Sequence, residues 1–302
     1  MAAKLANQTV SVAGVLDIEP IVGGTSRLTS GLAATLTMTG SSVVENTNIY
    51  LPTGTVALHA TGAAGDVSVG GRIDVSGTEH LLYDVPIFTD GGQISLTSDL
   101  HDITVAAGAA LVVAAQPGGG NAGTLSVSAS NGGFSAPDNT MSGQGGAGGA
   151  NGNFILDVKT VPNDSVVAID KALDEGGFTQ SRNFRIRNVV DSAAHTITVG
   201  NATALNYTLS SDIGDILATG TINASGPQGG TINLISAGEC HTGQRVHPER
   251  GRYTRLQRPP AKAEPSPRSR FGKERDAHFT SSGQRAPGRY SVRFPDHTVR
   301  GR

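Results

Sequence analysis

"QISLTSDLHDITVAAG" at residues 93–108 and "NYTLSSDIGDILATG" at residues 206–220 are two copies of one unit. Ile94 and Leu96 fall opposite Tyr207 and Leu209, Ser98-Asp99-Leu100 opposite Ser211-Asp212-Ile213, and Asp102-Ile103 opposite Asp215-Ile216. A third copy, "TVALHATGAAGDVSVGGRIDVSG" at 55–77, carries two more residues in its turn, and half-units recur at 123–130, 152–158 and 229–236. The shared form is a Gly, an apolar-x-apolar strand, a short turn ending in Asp, a second such strand, a Gly turn and a third strand closing on Ser-Gly. Period-2 alternation in short runs denotes strands with one face buried. The turn residues are those that accept left-handed backbone or bond back to it.

Short strands in a recurring unit of about 22–26 residues predict an all-β chain folded as a right-handed parallel β-helix of roughly nine or ten coils, about 45 Å long. Ile94, Leu96, Ile103, Val105, Leu209, Ile216, Ile232 and Leu234 are the expected inward residues. A β-sandwich also suits Gly-bounded strands, but it gives no reason for "SDLHDI" and "SDIGDI" to repeat so closely.

Charge divides the chain. Residues 1–239 hold 8 Lys/Arg against 20 Asp/Glu, whereas residues 240–302 hold 15 against 5, with half of the 14 prolines. The single cysteine, Cys240, lies at the junction, which excludes a disulfide framework and a cysteine metal site. No stretch approaches the ~18 apolar residues of a spanning helix. The opening "MAAKLANQTVSVAGVLDIEP" lacks the apolar run of a signal peptide.

The domain reading is therefore a β-helix segment over 1–239 and a basic, disordered tail over 240–302. Residues 240–252, "CHTGQRVHPERGR", admit codons that read Val-Thr-Leu-Ala-Ser-Gly-Ser-Ile-Leu-Asn-Ala-Gly-Gly when shifted by one base. That string is a continuation of the repeat, so the tail is expected to be an out-of-frame translation that leaves the last coil uncapped. Two interruptions are expected within the body. One comprises Gly-rich, flexible turns over about 116–152, lacking the Asp of a calcium-binding nonapeptide and the Gly-Lys-Ser/Thr of a phosphate loop. The other is a helical insert over about 163–177, capped by Asn163 or Asp164, with Val166, Ile169, Ala172 and Leu173 as its apolar face and Gly176-Gly177 as its stop.

"GDVSVGGRIDVSG", "AGTLSVSASNGGFS", "GNFILDV…LDEGGFTQSRNFRIR" and "ATGTINASGPQGGTINLISAGE", in that order, resemble the filamentous haemagglutinin family of outer-membrane exoproteins. The resemblance covers about residues 50–239 well and 1–49 loosely. It implies a long secreted β-helical rod at a bacterial cell surface, exported by an outer-membrane secretion partner. It also implies attachment to a receptor or glycan on a host or neighbouring cell. The family's signal peptide and secretion domain are not matched, so the chain is expected to be an internal fragment.

Catalysis needs converging acids and bases. Asp66, Asp102 and Asp215 occupy equivalent turns and are candidates for a column of carboxylates that binds a cation or serves as acid and base. The plainer reading is that each bonds amides of its own turn. An active site requires different residues in one special coil rather than one residue in many. His59, His80, His101 and His195 show no ligand spacing and read as solvated turn residues. The expectation is thus a non-enzymatic rod with no catalytic, cofactor-binding or metal residues, no cofactor and no nucleic-acid partner. A polysaccharide-acting β-helix enzyme and nucleic-acid binding through the tail are the alternatives.

Overall fold

The computed structural model describes residues 7–20, 32–63, 65–190, 195–226 and 229–242, and the backbone of Gly288–Val292. Nine strands stack in parallel into one sheet, beginning at Asn7, Thr35, Thr55, Gln93, Thr124, Asn153, Ser181, Asn206 and Thr231. Their registers superpose the alternation of every rung, so apolar side chains form continuous inward columns. One column runs Leu36, Val56, Ile94, Leu125, Phe154, Arg182, Tyr207 and Ile232. Another runs from Met38 through Leu96 to Leu209 and Leu234 along the same pairings.

After each rung the chain turns into shorter parallel strands. Val15–Ile18, Ser42–Glu45, Val67–Val69 and Ile103–Val105 build a second stack, which ends on Phe134 and Ser135. Asn48–Tyr50, Arg72–Asp74, Ala110–Val112 and Met141–Ser142 build a third. In the later coils these places are taken by Thr196–Val199, Asp215–Ala218 and Cys240–Thr242, and by Ala202–Thr203 with Ile222–Asn223. The result is an all-β, solenoid-like stack of parallel strands with one aliphatic core down its middle.

Seven of the eight expected inward residues are buried, and Leu234, on the last rung, is partly buried. Close coil-on-coil approach fixes glycine where the turns meet. A Cβ on Gly71 would lie 1.8 Å from the Thr47 carbonyl oxygen, and one on Gly123 would lie 1.8 Å from that of Gly92.

Several expectations are corrected. Coil length is not uniform, because three insertions lengthen particular coils. The first is an antiparallel hairpin, Glu79–Leu82 with Val85–Phe88. The second comprises the Gly-rich turns, which are not loose but hydrogen-bonded coil to coil, Gly146 N–H to the Gly120 carbonyl (3.0 Å) and Ala147 N–H to that of Pro117 (3.0 Å). The third is the helix, which spans Val167–Glu175. Asn163 and Asp164 do not cap it; both sit in a preceding 3-10 turn with positive φ, and the Asp164 carboxylate accepts from Val190 N–H at 2.6 Å instead. The expected apolar face is buried throughout, and the helix stops at Gly176-Gly177, the latter at φ +79.

The parallel stack also continues past 239, Cys240–Thr242 lying in register on Ile216–Ala218. The far edge of Thr231–Ser236, expected to be open, pairs antiparallel with Gly288–Val292, which is likewise a strand rather than disordered tail. The rest of the expected disordered tail lies outside the described residues.

Candidate functional site

The three repeated aspartates do not form one column. Asp66 and Asp102 stand on neighbouring coils, while Asp215 belongs to a separate stack further along. Nor does any of them close its own turn. Asp66 Oδ1 accepts from Asp102 N–H (3.1 Å), Asp102 Oδ1 from Gly133 N–H (2.6 Å), and Asp215 Oδ1 from Glu239 N–H (2.6 Å). Each carboxylate therefore takes the amide of the next coil at the same corner. Asp90 and Asn121 repeat the device at another corner, accepting from Asn121 and Ala150 amides at 2.7 and 2.8 Å. These side chains staple coil to coil where the strand ladder is interrupted.

The histidines are likewise separate. His59 Nε2 lies 2.9 Å from Asp99 Oδ1, and His80 Nε2 lies 2.9 Å from Thr78 Oγ1. His101 Nε2 bonds the Ala63 carbonyl, and His195 contributes its carbonyl to Asp215 N–H (2.6 Å). Among the described residues no group of three or more His, Cys, Asp or Glu could hold a metal ion. A groove of about 220 Å³ opens beside Asp102, walled by Thr104, Ser135, Thr160, Pro162 and Val190. The Asp102 carboxylate on its wall is already engaged with Gly133, and among the described residues no second titratable group lines the groove.

The densest polar cluster was not foreseen. Arg182 stands at an inward position, above Phe154 and below Tyr207, and its side chain is fully buried. A bare guanidinium there would be prohibitively costly. The helical insert supplies the counter-charge. It occupies the place of a third-stack strand, with Gly176 accepting from Gly143 N–H (2.7 Å) and Asp174 Oδ1 accepting from Thr203 N–H (2.9 Å).

From the helix Asp170 points into the core. Its Oδ1 accepts from Arg182 Nη1 at 2.9 Å and its Oδ2 from the Tyr207 hydroxyl at 2.8 Å. Arg182 Nε donates to the Phe178 carbonyl (2.9 Å), and Nη2 donates to Asp174. Burial pushes the Asp170 pKa up to about 6, with the Arg182 charge and the Tyr207 hydroxyl pulling it down. Burial, then the Asp170 charge, raises the Tyr207 phenol well above its usual range. Phe154, Phe178 and Phe184 pack around the cluster, with ring centroids 6.1 Å (Phe154–Phe178) and 5.8 Å (Phe154–Phe184) apart. The buried polar atoms of Arg182, Asp170 and Tyr207 are engaged with one another, with Asp174 and with the Phe178 carbonyl, so the chemistry of the cluster is cohesive. The signal for it was present in "SRNFRI", where continuing the alternation back from Ile186 and Phe184 turns Arg182 inward.

A second buried charge, Glu45, has no such provision. It lies in the column Ile18, Glu45, Val69, Val105 and is fully buried. Oε1 accepts from Thr47 N–H (2.8 Å), while Oε2 has no hydrogen-bond partner. Burial raises its pKa to about 7, against the Thr47 and Gly71 amides, which lower it. No protein-family model, curated protein or solved structure matches the chain.

Proposed function

We propose that this chain is a structural and adhesive rod segment of a large secreted bacterial surface protein of the filamentous haemagglutinin kind. In this reading it is a right-handed parallel β-helix that acts by geometry and not by catalysis. The observation that carries the reading is the register. Nine parallel rungs keep their inward columns aligned while Ser, Thr and Asn recur at outward positions along the side. Stacked coils sharing one core transmit load along the axis and expose a long lateral surface to a receptor or glycan. Export by an outer-membrane partner belongs to the same proposal.

The test is adhesion. Beads coated with the chain should be retained on epithelial or bacterial cells above beads coated with a non-adhesive protein of equal charge. Equal retention, left-handed coils in an experimental structure, or turnover of pectin or hyaluronan abolished by Asp102→Ala would overturn it.

The shifted reading frame after Glu239 is part of this proposal too. Cys240 stands inward on Ile216, where the shifted frame reads Val, and Thr242 stands on Ala218, where it reads Leu. Sequencing the gene and finding no frame that resumes the repeat would remove it.

A further inference from the structure

Between the rungs that start at Thr55 and Gln93 the chain leaves the stack as the hairpin Glu79–Leu82/Val85–Phe88. Its base is fixed. Thr89 Oγ1 bonds Thr53 Oγ1 (2.8 Å) and accepts from Thr78 N–H (2.8 Å), and Gln116 Nε2 donates to the Gly77 carbonyl (2.6 Å). The Phe88 ring lies so close over the Gly-rich turn that a Cβ on Gly118 would sit 2.4 Å from it. Beyond that base the hairpin is apolar and bare: Leu81 is 70% exposed, Leu82 57%, Tyr83 92% and Val85 62%.

The two edges of this hairpin differ. Thr89 N–H donates to the Thr78 carbonyl (2.9 Å), so antiparallel alternation makes His80–Ile87 and Leu82–Val85 the mutually bonded pairs. The N–H and C=O of Glu79, Leu81 and Phe88, and the C=O of Pro86, then point away from the hairpin. On the second strand the central outward residue is Pro86, which has no N–H, and a proline there blocks strand addition. On the first strand it is Leu81, with donor and acceptor both free to pair. Among the described residues neither strand pairs with anything but the other.

We propose that the Glu79–Leu82 edge is a self-association surface, which pairs antiparallel with the same strand of a second copy about a two-fold axis. Centred on Leu81, that pairing sets Leu81 against Leu81, His80 against Leu82 and Glu79 against Tyr83. The two Glu79 carboxylates stand at opposite ends and never meet, and Asp84 stays in the turn. Isologous pairing of this kind closes on itself and leaves the Pro86 edges outermost. The exposed apolar side chains amount to roughly 500 Å² per copy, on the scale of the largest patches that monomers carry. Edge pairing covers only part of that area, since Val85 stays on the outer strand and the paired side chains keep their faces in water. Two copies then bury less than about 1,000 Å², and dissociation is expected on the order of tens to hundreds of micromolar. A lipid surface suits the hairpin less well, because Asp84 would enter first and the unpaired edges would follow it.

Sedimentation velocity of the full chain from about 1 to 300 µM tests the proposal. A reversible monomer–dimer equilibrium is expected. Leu81→Lys, which opposes two ammonium groups on the axis, and Leu81→Pro, which removes the central donor, should each raise the dissociation constant at least tenfold. Leu100→Lys, at an exposed apolar residue elsewhere, should leave it unchanged. Far-ultraviolet circular dichroism of Leu81→Lys guards against misfolding, since the lysine lies on a solvent-exposed strand. A wild-type chain that stays monomeric throughout overturns the proposal, as does a dimer that ignores both Leu81 variants. A monomer that floats with phosphatidylcholine vesicles in a Leu81-dependent way assigns the edge to lipid and also overturns it.

Discussion

Arg182 and Glu45 are both ionisable groups turned into the aliphatic core, from different stacks of strands, yet the chain treats them differently. Around Arg182 an entire third-stack strand is replaced by the Val167–Glu175 helix, which brings Asp170 and Asp174 to the guanidinium. Around Glu45 the three stacks continue unaltered, and one carboxyl oxygen is left without a partner. A charge inside a narrow stack of strands is either matched by a group from outside the repeat or relieved by taking a proton. The pKa of about 7 at Glu45 is the second solution, and the Asp170–Arg182–Tyr207 cluster is the first.

The largest effect should come from unbalancing the matched pair. Arg182→Leu leaves Asp170 buried with only the Tyr207 hydroxyl, and should cost about 3–5 kcal/mol in urea unfolding. The triple variant Asp170→Leu/Arg182→Leu/Tyr207→Phe should recover most of that loss, because an apolar group of similar volume suits the phenylalanine-lined surroundings and no buried hydroxyl is left without its acceptor. A triple variant no more stable than the single one would mean that the helix is held by something other than this charge pair.

The unmatched site should show itself through pH. The folded pKa of Glu45 is raised from 4.5 to about 7, so its contribution is complete below pH 4.5 and is lost as pH rises to about 7. The span of that loss is about 3 kcal/mol. Asp170 acts in the same direction but only up to about pH 6. Of these two buried carboxyls, Glu45 is the one that still titrates between pH 6 and 7. The protection factors of amides in residues 35–51, corrected for the intrinsic rise of exchange with pH, should fall across that window in the wild type and stay level in Glu45→Gln. An unchanged slope in Glu45→Gln would locate the titration elsewhere.

Much of the matched region was legible in sequence, and the reason is local. Strand alternation places a side chain in or out by its neighbours alone, so Ile94, Leu96, Ile103, Val105, Leu209, Ile216 and Ile232 could be assigned inward without knowing the fold. What alternation cannot supply is a partner. Arg182 follows the pattern, but its counter-charge stands twelve residues earlier, on a helix of which spacing marks only the apolar face. The helix start was misplaced for a related reason. Asn163 and Asp164 have the chemistry of caps, but Pro162 begins a 3-10 turn and commits them to left-handed backbone. The hairpin carries no recognisable turn signal, since Tyr83-Asp84 takes the place where Asn-Gly is the usual choice, with Tyr83 at φ +55. The Gly-rich turns were expected to be flexible because composition does not reveal that two such turns lie one above the other.

The smallest effect should come from the aspartate that the repeat marks most plainly. Asp102→Ala removes one acceptor from Gly133 N–H and leaves the stacked strands on either side intact. That amide lies at a solvent-facing corner, where water replaces the lost carboxylate oxygen, so the cost should be about 1 kcal/mol or less. Exchange of the Gly133 amide should quicken while that of Val127, within the neighbouring rung, stays as it was. The same substitution at Asp66 should release the Asp102 amide in the same way. If either variant instead costs as much as Arg182→Leu, the corner aspartates hold the coils together more than the core does. The contrast between matched and unmatched interior charges would then be secondary to what happens at the turns.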